Sequence, residues 1–450
     1  MQDLTQGREG KLIFVFALPM LIGNVFQQLY NTVDSIIVGN TLGKAALAAV
    51  GASFPLVFLL VSLIIGLSMG TTVLIAQYYG AGRLDLVKKT IDTTYLFLFV
   101  AALVCTLLGL ATSKPLLRLL RTPAEGFALA VTYLQIIFAG LIFTFGFNTI
   151  SAVLRGLGNS KTPLYFLILS TLINIILDLV FILSFGWGVA GAAWATVIAQ
   201  AVSFLVGQFY LTRRFELFRF DLKKMTFDRT IFLTTLKIGL PTGIQQTLVA
   251  TGMMALSRIV NQFGTAAVAA YTAAGRIDSF ASMPAMNLSA ALSAFVGQNL
   301  GAGKPERVKR GYLSALAMAI AIALATTVTV ALFGRELIAL FNADSEVIAI
   351  GASYLIIVGS FYPVFAWMFI TNGVLRGAGD TLIPMFISVF SLWLIRVPVS
   401  GLLAKRLGTN GIWWGIPVAW TVGALLGFAY FLSGGWKQRS LLPTTQEEKR

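Results

Sequence analysis

Residues 152–159 read A-V-L-R-G-L-G-N, and residues 373–380 repeat this motif as G-V-L-R-G-A-G-D, a displacement of 221 positions. Two further pairs recur at the same displacement. A-Q-Y-Y-G-A-G-R-L-D-L-V-K-K (76–89) matches G-Q-N-L-G-A-G-K-P-E-R-V-K-R (297–310), and L-G-K-A-A-L-A-A (42–49) matches F-G-T-A-A-V-A-A (263–270). Agreement of separate segments at one displacement indicates an internal duplication. The chain is therefore predicted to contain two copies of one structural unit.

The composition is that of a membrane protein. Of 450 residues, 57% are hydrophobic and only 11% are charged, whereas soluble domains carry about 25% charged residues. Twelve apolar segments, the first near 12–38 and the last near 411–434, are each long enough to cross a bilayer, which takes about 20 residues. We predict an all-α integral membrane protein with twelve transmembrane helices in two pseudo-symmetric six-helix lobes. The expected domains are an N-lobe (1–212), a cytoplasmic connector (213–231) and a C-lobe with a cytoplasmic tail (232–450).

Several kinds of chemistry are excluded by residue content. The chain has no histidine and a single cysteine, Cys105, which excludes imidazole catalysis, a histidine-ligated metal and an intramolecular disulfide. No catalytic residue and no cofactor is expected. The net charge of +15 comes largely from Lys and Arg beside the spans, 23 on the side of both termini and eight on the other. This bias predicts cytoplasmic termini and argues against nucleic-acid binding.

Three carboxylates lie well inside the predicted spans: Asp34, Asp178 and Asp278. A charge in lipid costs several kcal/mol, so such residues are functional candidates. The repeat serves as an internal control. In the second half, Asp34 corresponds to Ala255 or Leu256, while Asn174 and Asp178 correspond to Ile395 and Val399 or, with a one-residue slip, to Arg396 and Ser400. The duplicated fold therefore does not need these acids.

Helical spacing places polar groups of the first half on shared faces. Gln27, Asn31 and Asp34 are spaced i, i+4 and i+7, and Asn174 and Asp178 are spaced i and i+4. Helix rise puts Asp34, Asn174, Asp178 and Thr196 at one depth. We predict either a hard-cation site such as one for Na⁺, or a carboxylate pair that takes up a proton because adjacent negative charges repel.

Simpler interpretations of these acids remain open. One alternative is that Asp34 and Asp178 only cap or hydrogen-bond neighbouring helices. Asp278, two residues from Arg276, is expected to make structural or interfacial contacts. The sequence does not name a partner for Arg396.

These residues resemble the multidrug and toxic compound extrusion (MATE) family over nearly the whole chain. The resemblance rests on A-L-P (17–19), V-D-S-I-I-V-G (33–39), the G-A-G turns (80–82 and 301–303), V-L-R-G-x-G in both halves and R-I-D-S-F-A-S-M-P (276–284). It is closer to the DinF-like prokaryotic branch. It implies that Asp34, Asn174, Asp178 and Thr196 bind the coupling cation, and that helix 1 bends at Pro19. NorM-like members carry a Glu on helix 7, where this chain reads G-I-Q-Q-T-L-V-A with Gln245 and Gln246, so a C-lobe cation site is not expected.

The resemblance implies a secondary active multidrug efflux antiporter in a prokaryotic inner membrane. Such a monomer exports amphipathic, often cationic organic compounds in exchange for H⁺ or Na⁺ by alternating access of its two lobes. It needs no cofactor besides the coupling ion. The candidates for lining a substrate cavity are Gln27, Tyr30, Asn31, Met253, Met254, Met283 and Met286.

Other functions remain as alternatives. A flippase of lipid-linked oligosaccharides belongs to the same superfamily but typically has more spans and a cationic cavity. The G-A-G-D stretch at 377–380 matches a signature of intramembrane aspartyl proteases, yet its repeat copy ends in Asn159. A passive channel is disfavoured because no pore-lining ring is evident.

Overall fold

The computed structural model describes residues 2–120, 122, 124–219 and 225–439, with side chains at 35, 36, 40, 44, 45, 47, 48, 52, 438 and 439 excepted. Long apolar helices dominate these residues, as expected for a chain whose backbone polar groups must be satisfied within each span. The first half contains α1 (Glu9–Gly80, which is two helices separated by a break at Gly43, φ 78°), α2 (Leu84–Leu119), α3 (Ala124–Ala139), α4 (Leu141–Gly156), α5 (Lys161–Asp178) and α6 (Gly188–Arg214). The second half contains α7 (Arg229–Val260), α8 (Gly264–Gly301), α9 (Pro305–Ala339), α10 (Ser345–Gly359), α11 (Tyr362–Gly377), α12 (Leu382–Val389), α13 (Val397–Leu407) and α14 (Thr409–Ser433).

The helices account for the twelve predicted spans. Within the described part of the chain, nine helical stretches are long and apolar enough to cross a membrane, and eleven if each of two bent pairs is one span. The bent pairs are α3 with α4 (50°) and α10 with α11 (49°). One of the nine stretches, Arg229–Gly301, contains both α7 and α8, and counting these separately gives twelve. The prediction of an all-α membrane protein with two lobes is confirmed.

The chain divides into two compact units. The first unit contains Pro19–Leu240 with Met1–Gln2, and the second contains Asp3–Leu18 and Pro241–Arg450. This division differs from the boundaries expected from sequence, 1–212 and 232–450. The start of α1 packs with the second unit, and the start of α7 packs with the first. The chain passes between units at Pro19 and at Pro241.

Hydrogen bonds explain why the N-terminal segment belongs to the second unit. The backbone N–H of Leu4 donates to Gln298 Oε1 (3.0 Å), and Asn299 Nδ2 donates to the Leu4 carbonyl (3.1 Å). Arg307 donates to the Gly7 carbonyl (2.9 Å) and pairs with Glu9 (3.1 Å). These partners lie in or beside the second G-A-G turn, which therefore anchors the segment.

The connector is anchored to the first unit in a similar way. After α6 ends at Arg214, a 3₁₀ turn spans Glu216–Phe218 and buries Phe218 against α2 and α6 residues. Lys88 Nζ donates to the Arg219 carbonyl (3.2 Å), and the Asp228 N–H donates to Thr93 Oγ1 (3.0 Å). Part of the predicted connector, residues 220–224, and the predicted tail from residue 440 lie outside the described residues.

The duplication is visible in the helix boundaries. Helices α2, α3 and α4 begin at residues 84, 124 and 141, and α9, α10 and α11 begin at 305, 345 and 362, each 221 positions later. An equivalent hydrogen bond occurs beside each bend, from α2 to α3 and from α9 to α10. Thr106 Oγ1 donates to the Phe138 carbonyl (2.8 Å), and its equivalent Thr327 Oγ1 donates to the Gly359 carbonyl (2.6 Å). The two units therefore share internal structure as well as sequence.

The glycine of the V-L-R-G motif permits a close helix contact in each unit. A Cβ on Gly156 would lie 2.8 Å from Ile75 Cγ2 and 2.9 Å from the Thr72 carbonyl oxygen. A Cβ on Gly377 would lie 2.8 Å from Val296 Cβ and would also meet the Ser293 carbonyl. These distances are too short for any side chain, so only glycine fits at either position.

Candidate functional site

The first unit brings together the four polar residues that the sequence placed at one depth. Asp34 comes from α1, Asn174 and Asp178 come from α5, and Thr196 comes from α6. Asn174 is 1% exposed and Asp178 is fully buried. The two residues follow one helix face because they are spaced i and i+4. A π-helical segment, Leu179–Ser184, begins directly after Asp178, and such segments occur frequently at functional sites.

The carboxyl groups of Asp34 and Asp178 lie close enough to interact electrostatically. In each group, the buried Oδ1 atom has no hydrogen-bond donor among the described residues. Two ionised carboxylates at this distance repel each other, and a carboxylate is not itself a donor. A proton on one carboxyl, or a cation between the two, would supply the missing partner.

Asn174 links this pair to α6. Its amide is oriented so that Nδ2 donates to Asp178 Oδ2 (2.9 Å) and Oδ1 accepts from the Thr196 N–H (3.2 Å). The amide therefore fixes Asp178 against the adjacent helix. Because an amide is neutral, it positions the carboxylate without neutralising its charge.

Tyr30 links α1 to Thr196 of α6. Its hydroxyl lies 3.1 Å from Thr196 Oγ1, and the Thr196 hydroxyl donates to the Ala192 carbonyl (3.1 Å). Since the threonine hydrogen is used in that bond, Tyr30 is the donor to Thr196. Three spans are thus joined by hydrogen bonds around the acids.

A further residue of the site, Tyr133, is absent from the sequence-based set. This α3 residue interacts electrostatically with both Asp34 and Asp178. It also packs against the cluster of Val38, Ala46, Ile182, Val189 and Ala192. Tyrosine is common in spans, so the residue type alone gives no signal. The repeat does give one, because the residue 221 positions later, Tyr354, is also tyrosine.

A small cavity of about 40 Å³ adjoins the site. Its lining contains Gln27, Tyr30, Phe147, Leu167, Ser170, Thr171, Asn174, Thr196, Ala199 and Gln200. A water molecule needs roughly 10–15 Å³, whereas sites for organic ligands measure about 300–1,000 Å³. The cavity therefore has room for a small ion and water but not for an organic compound.

The remaining cavity candidates have different environments. Asn31 is exposed. Met253, Met254 and Met286 are 48%, 56% and 43% exposed, whereas Met283 is buried at 9%. Their role in binding substrate stays a prediction. Met283 packs inside the second unit, so it would reach a substrate only after rearrangement.

Pro19 lies inside α1 and is buried. A proline within a helix removes one backbone hydrogen bond and favours a kink. This residue is also the point where α1 passes from one unit to the other. The bend expected from the family resemblance stays a prediction.

In the second unit, Gln245 is held by polar neighbours. Its Nε2 donates to Ser388 Oγ (2.6 Å), and its Oε1 accepts from Arg376 Nη2 (3.0 Å). The amide thus borders a fixed positive charge, an environment that disfavours a bound cation.

One other sequence signal has a structural explanation. Asp380, from the G-A-G-D stretch, is buried, and its Oδ2 accepts a hydrogen bond from the Tyr430 hydroxyl (2.5 Å). Among the described residues, no group of three or more Asp, Glu, Cys or His side chains is placed to hold a metal ion.

Comparisons with known proteins agree with this architecture. A family model described as MatE matches residues 19–180 and again 241–402. The chain is 36% identical over 440 residues to the Probable multidrug resistance protein YpnP of Bacillus subtilis, covering 98% of both chains. It is 30% identical to the Probable multidrug resistance protein NorM of Thermotoga maritima, covering 96% of this chain and 94% of that one. A crystal structure of MATE in the straight conformation matches with a TM-score of 0.89 at 28% identity, covering 97% of this chain and 98% of the other.

Proposed function

The chain belongs to the MatE family, and on that premise we propose that it is a secondary active antiporter exporting amphipathic, often cationic organic compounds in exchange for H⁺ or Na⁺. Its relatives are named as multidrug resistance proteins, which supports efflux rather than enzymatic catalysis. The proposal assigns coupling to the acids of the first unit.

The observation that carries the proposal is the proximity of Asp34 and Asp178. When both carboxyls are ionised, their repulsion favours a compensating positive charge. A proton would sit on one carboxyl. Na⁺ would be held by the carboxylate oxygens with the Thr196 hydroxyl and, once the Asn174 amide rotates away from the Thr196 N–H, with the Asn174 amide oxygen; these are the oxygen ligands that hard cations prefer.

Exchange requires that cargo and coupling ion favour different states of the protein. A ligand shifts a conformational equilibrium only by its difference in affinity for the two states. In the proposed cycle, the ionised acids stabilise the state that holds a cationic cargo. Binding of H⁺ or Na⁺ neutralises them, the helices repack, and cargo is released outside by alternating access.

The proposed setting is a prokaryotic inner membrane with a monomeric transporter and both termini in the cytoplasm. The imbalance of Lys and Arg between the two sides of the spans supports this orientation.

Transport in proteoliposomes tests the proposal. The purified protein is reconstituted, and efflux of the cationic dye ethidium is followed under a pH gradient alone and then under a Na⁺ gradient alone. We expect at least one gradient to drive efflux above the rate of protein-free vesicles. Efflux that is equal with and without both gradients would show a passive pathway and refute antiport.

A further inference from the structure

The second unit contains a groove that holds the stretch of chain leading into α1. We call this stretch, residues 3–9, the docking segment. The backbone N–H of Leu4 donates to Gln298 Oε1 (3.0 Å), and the Leu4 carbonyl accepts from Asn299 Nδ2 (3.1 Å). Leu4 and both amide residues are fully buried. Two side-chain amides thus satisfy the backbone of one residue, so its apolar side chain can be buried without an unpaired N–H or carbonyl.

Arg307 of α9 is the charged centre of the groove. Its Nη2 donates to the Gly7 carbonyl (2.9 Å), and its Nη1 pairs with Glu9 Oε1 (3.1 Å). Its Nε donates to Asn299 Oδ1 (2.9 Å), and its guanidinium carbon lies over the Phe295 ring, 5.8 Å from the centroid. A planar guanidinium held by this many partners has a fixed orientation. Arg307 therefore binds the docking segment in one register.

Other cations of the second unit also bind the docking segment. Lys304 Nζ donates to the Thr5 carbonyl (3.1 Å), and Arg310 Nε lies 3.4 Å from Glu9 Oε1. The Glu9 side chain is only 16% exposed, so solvent screens its charge little. The groove therefore recognises backbone carbonyls by charge-assisted hydrogen bonds and one carboxylate by two arginines.

The equivalent positions of the first unit carry different side chains. At the displacement of 221 residues, Arg307 corresponds to Leu86 and Asn299 corresponds to Tyr78. Leucine has no polar atom, and tyrosine lacks the second polar group of an amide. The contacts that hold the docking segment are therefore a property of the second unit and not of the repeated fold.

We propose that the end of α8 and the start of α9 form a peptide-binding groove that recognises residues 3–9 and keeps them bound throughout transport. The groove would hold the start of α1 in the second unit, while α1 passes to the first unit at Pro19 and carries Asp34 beyond that point. The proposal deepens the proposed function and rests on it only for the transport measurement below. Removal of the docking segment leaves the groove open to a free peptide of the same sequence.

Binding of such a peptide tests recognition without any transport measurement. A variant lacking residues 2–8 is purified in detergent and titrated with a fluorescent peptide of residues 2–8. We expect saturable binding to this variant and none to the full-length protein, whose groove is occupied. Adding Arg307→Ala should weaken binding about tenfold, as loss of hydrogen bonds to a charged group typically does.

The matched control for this titration is Lys309→Ala, which removes an exposed cation of the same helix and should leave binding unchanged. Absence of saturable binding to the shortened variant would overturn the proposal. Equal weakening by Arg307→Ala and Lys309→Ala would also overturn it, because binding would then depend on net charge and not on the groove.

A disulfide gives a second test that does not need the shortened variant. A Cβ on Gly10 would lie 3.3 Å from Ser314 Cβ, close to the roughly 3.5–4.5 Å between the Cβ atoms of a disulfide. In a Cys105→Ser background, Gly10→Cys with Ser314→Cys should cross-link on mild oxidation. The cross-linked protein should export dye as fast as the same variant after reduction, because the docking segment stays bound.

Two outcomes of the cross-linking experiment would count against the proposal. Failure to form the disulfide would contradict the contact between the start of α1 and α9. Loss of export on oxidation, restored by reduction, would show that the docking segment must detach. Peptide binding and cross-linking need no ion gradient, so they decide on the groove even if the wild-type protein exports no dye, a result that would contradict antiport alone.

Discussion

Asp34 and Asp178 are acids of one unit whose carboxyl groups lie close together away from water. Burial of an unpaired carboxylate is costly, and burial of two adjacent ones costs more. The pair therefore has a strong preference for a bound proton or cation. This preference is the physical basis of the proposed coupling at the residue scale.

Replacement of Asp34 by Asn is expected to abolish gradient-driven efflux. Asparagine preserves the shape of the side chain but cannot lose a proton or contribute charge to a cation. Dye efflux and membrane expression are measured together. The matched variant is Asp85→Asn, which removes an exposed acid that pairs with Arg83 (3.2 Å) and should leave efflux unchanged. Wild-type efflux by Asp34→Asn would refute its coupling role.

Replacement of Thr196 by Val tests the hydrogen bonds around the pair. Valine keeps the volume but removes the acceptor for Tyr30, whose hydroxyl lies 3.1 Å away. We expect the cation concentration for half-maximal efflux to rise about fivefold, equivalent to the loss of roughly 1 kcal/mol typical of one hydrogen bond. Thr132→Val serves as the control, because this exposed hydroxyl donates to the Ala128 carbonyl of its own helix (3.0 Å). Equal responses of the two variants would count against a specific role for Thr196.

The sequence could identify these acids because charge inside an apolar span is rare and costly. Helical spacing then placed Asp34, Asn174 and Asp178 on compatible faces, and the structure brings them together. Tyr133 was not predicted as a site residue because tyrosine is a common residue type in membrane spans.

At the scale of elements, the repeated V-L-R-G glycine controls how closely two helices approach. In each unit the fourth apolar span touches the end of the second through this residue. Neither contact leaves space for a methyl group.

Replacement of Gly156 by Ala should destabilise the first unit. Its Cβ would meet Ile75 and the Thr72 carbonyl at under 3 Å, and such overpacking typically costs about 1–3 kcal/mol. The unfolding temperature in detergent measures the effect. Gly51→Ala is the matched control, because a Cβ there has nothing within 4 Å. A Gly156→Ala protein as stable as Gly51→Ala would show that the helices separate easily.

The positions of the helices could be predicted from the sequence more completely than the grouping of those helices into two units. Apolar periodicity and the 221-residue repeat located the spans, since each must satisfy its own backbone. The assignment of Asp3–Leu18 to the second unit could not be predicted, because it depends on bonds such as Leu4 to Gln298. The two π-helical segments were also not predicted. They lie at different positions relative to the repeat, so the duplication gives no signal for them.

At the scale of the whole molecule, the two units share a fold but differ in their charges. The first unit brings Asp34 and Asp178 together, whereas their repeat positions in the second unit carry no acid. The proposal that only the first unit exchanges ions accounts for acids that do not follow the repeat.

Replacement of Gln245 by Ala should leave the cation dependence of efflux unchanged. It should nevertheless lower stability by about 1–3 kcal/mol, because it removes partners of Arg376 and Ser388 in a buried position. Efflux at varied Na⁺ and pH is compared with wild type, alongside unfolding temperature. Loss of the cation response without loss of folding would locate an ion in the second unit.

Competition between cargo and coupling ion at the acid pair is the central claim, and equilibrium binding tests it most directly. The affinity of the purified protein for tetraphenylphosphonium is measured over a range of pH and of Na⁺ concentration. The account predicts that protons or Na⁺ weaken binding to the wild type, and that the Asp34→Asn, Asp178→Asn double variant loses this dependence. A double variant whose affinity still falls with added cation as in the wild type would contradict the account.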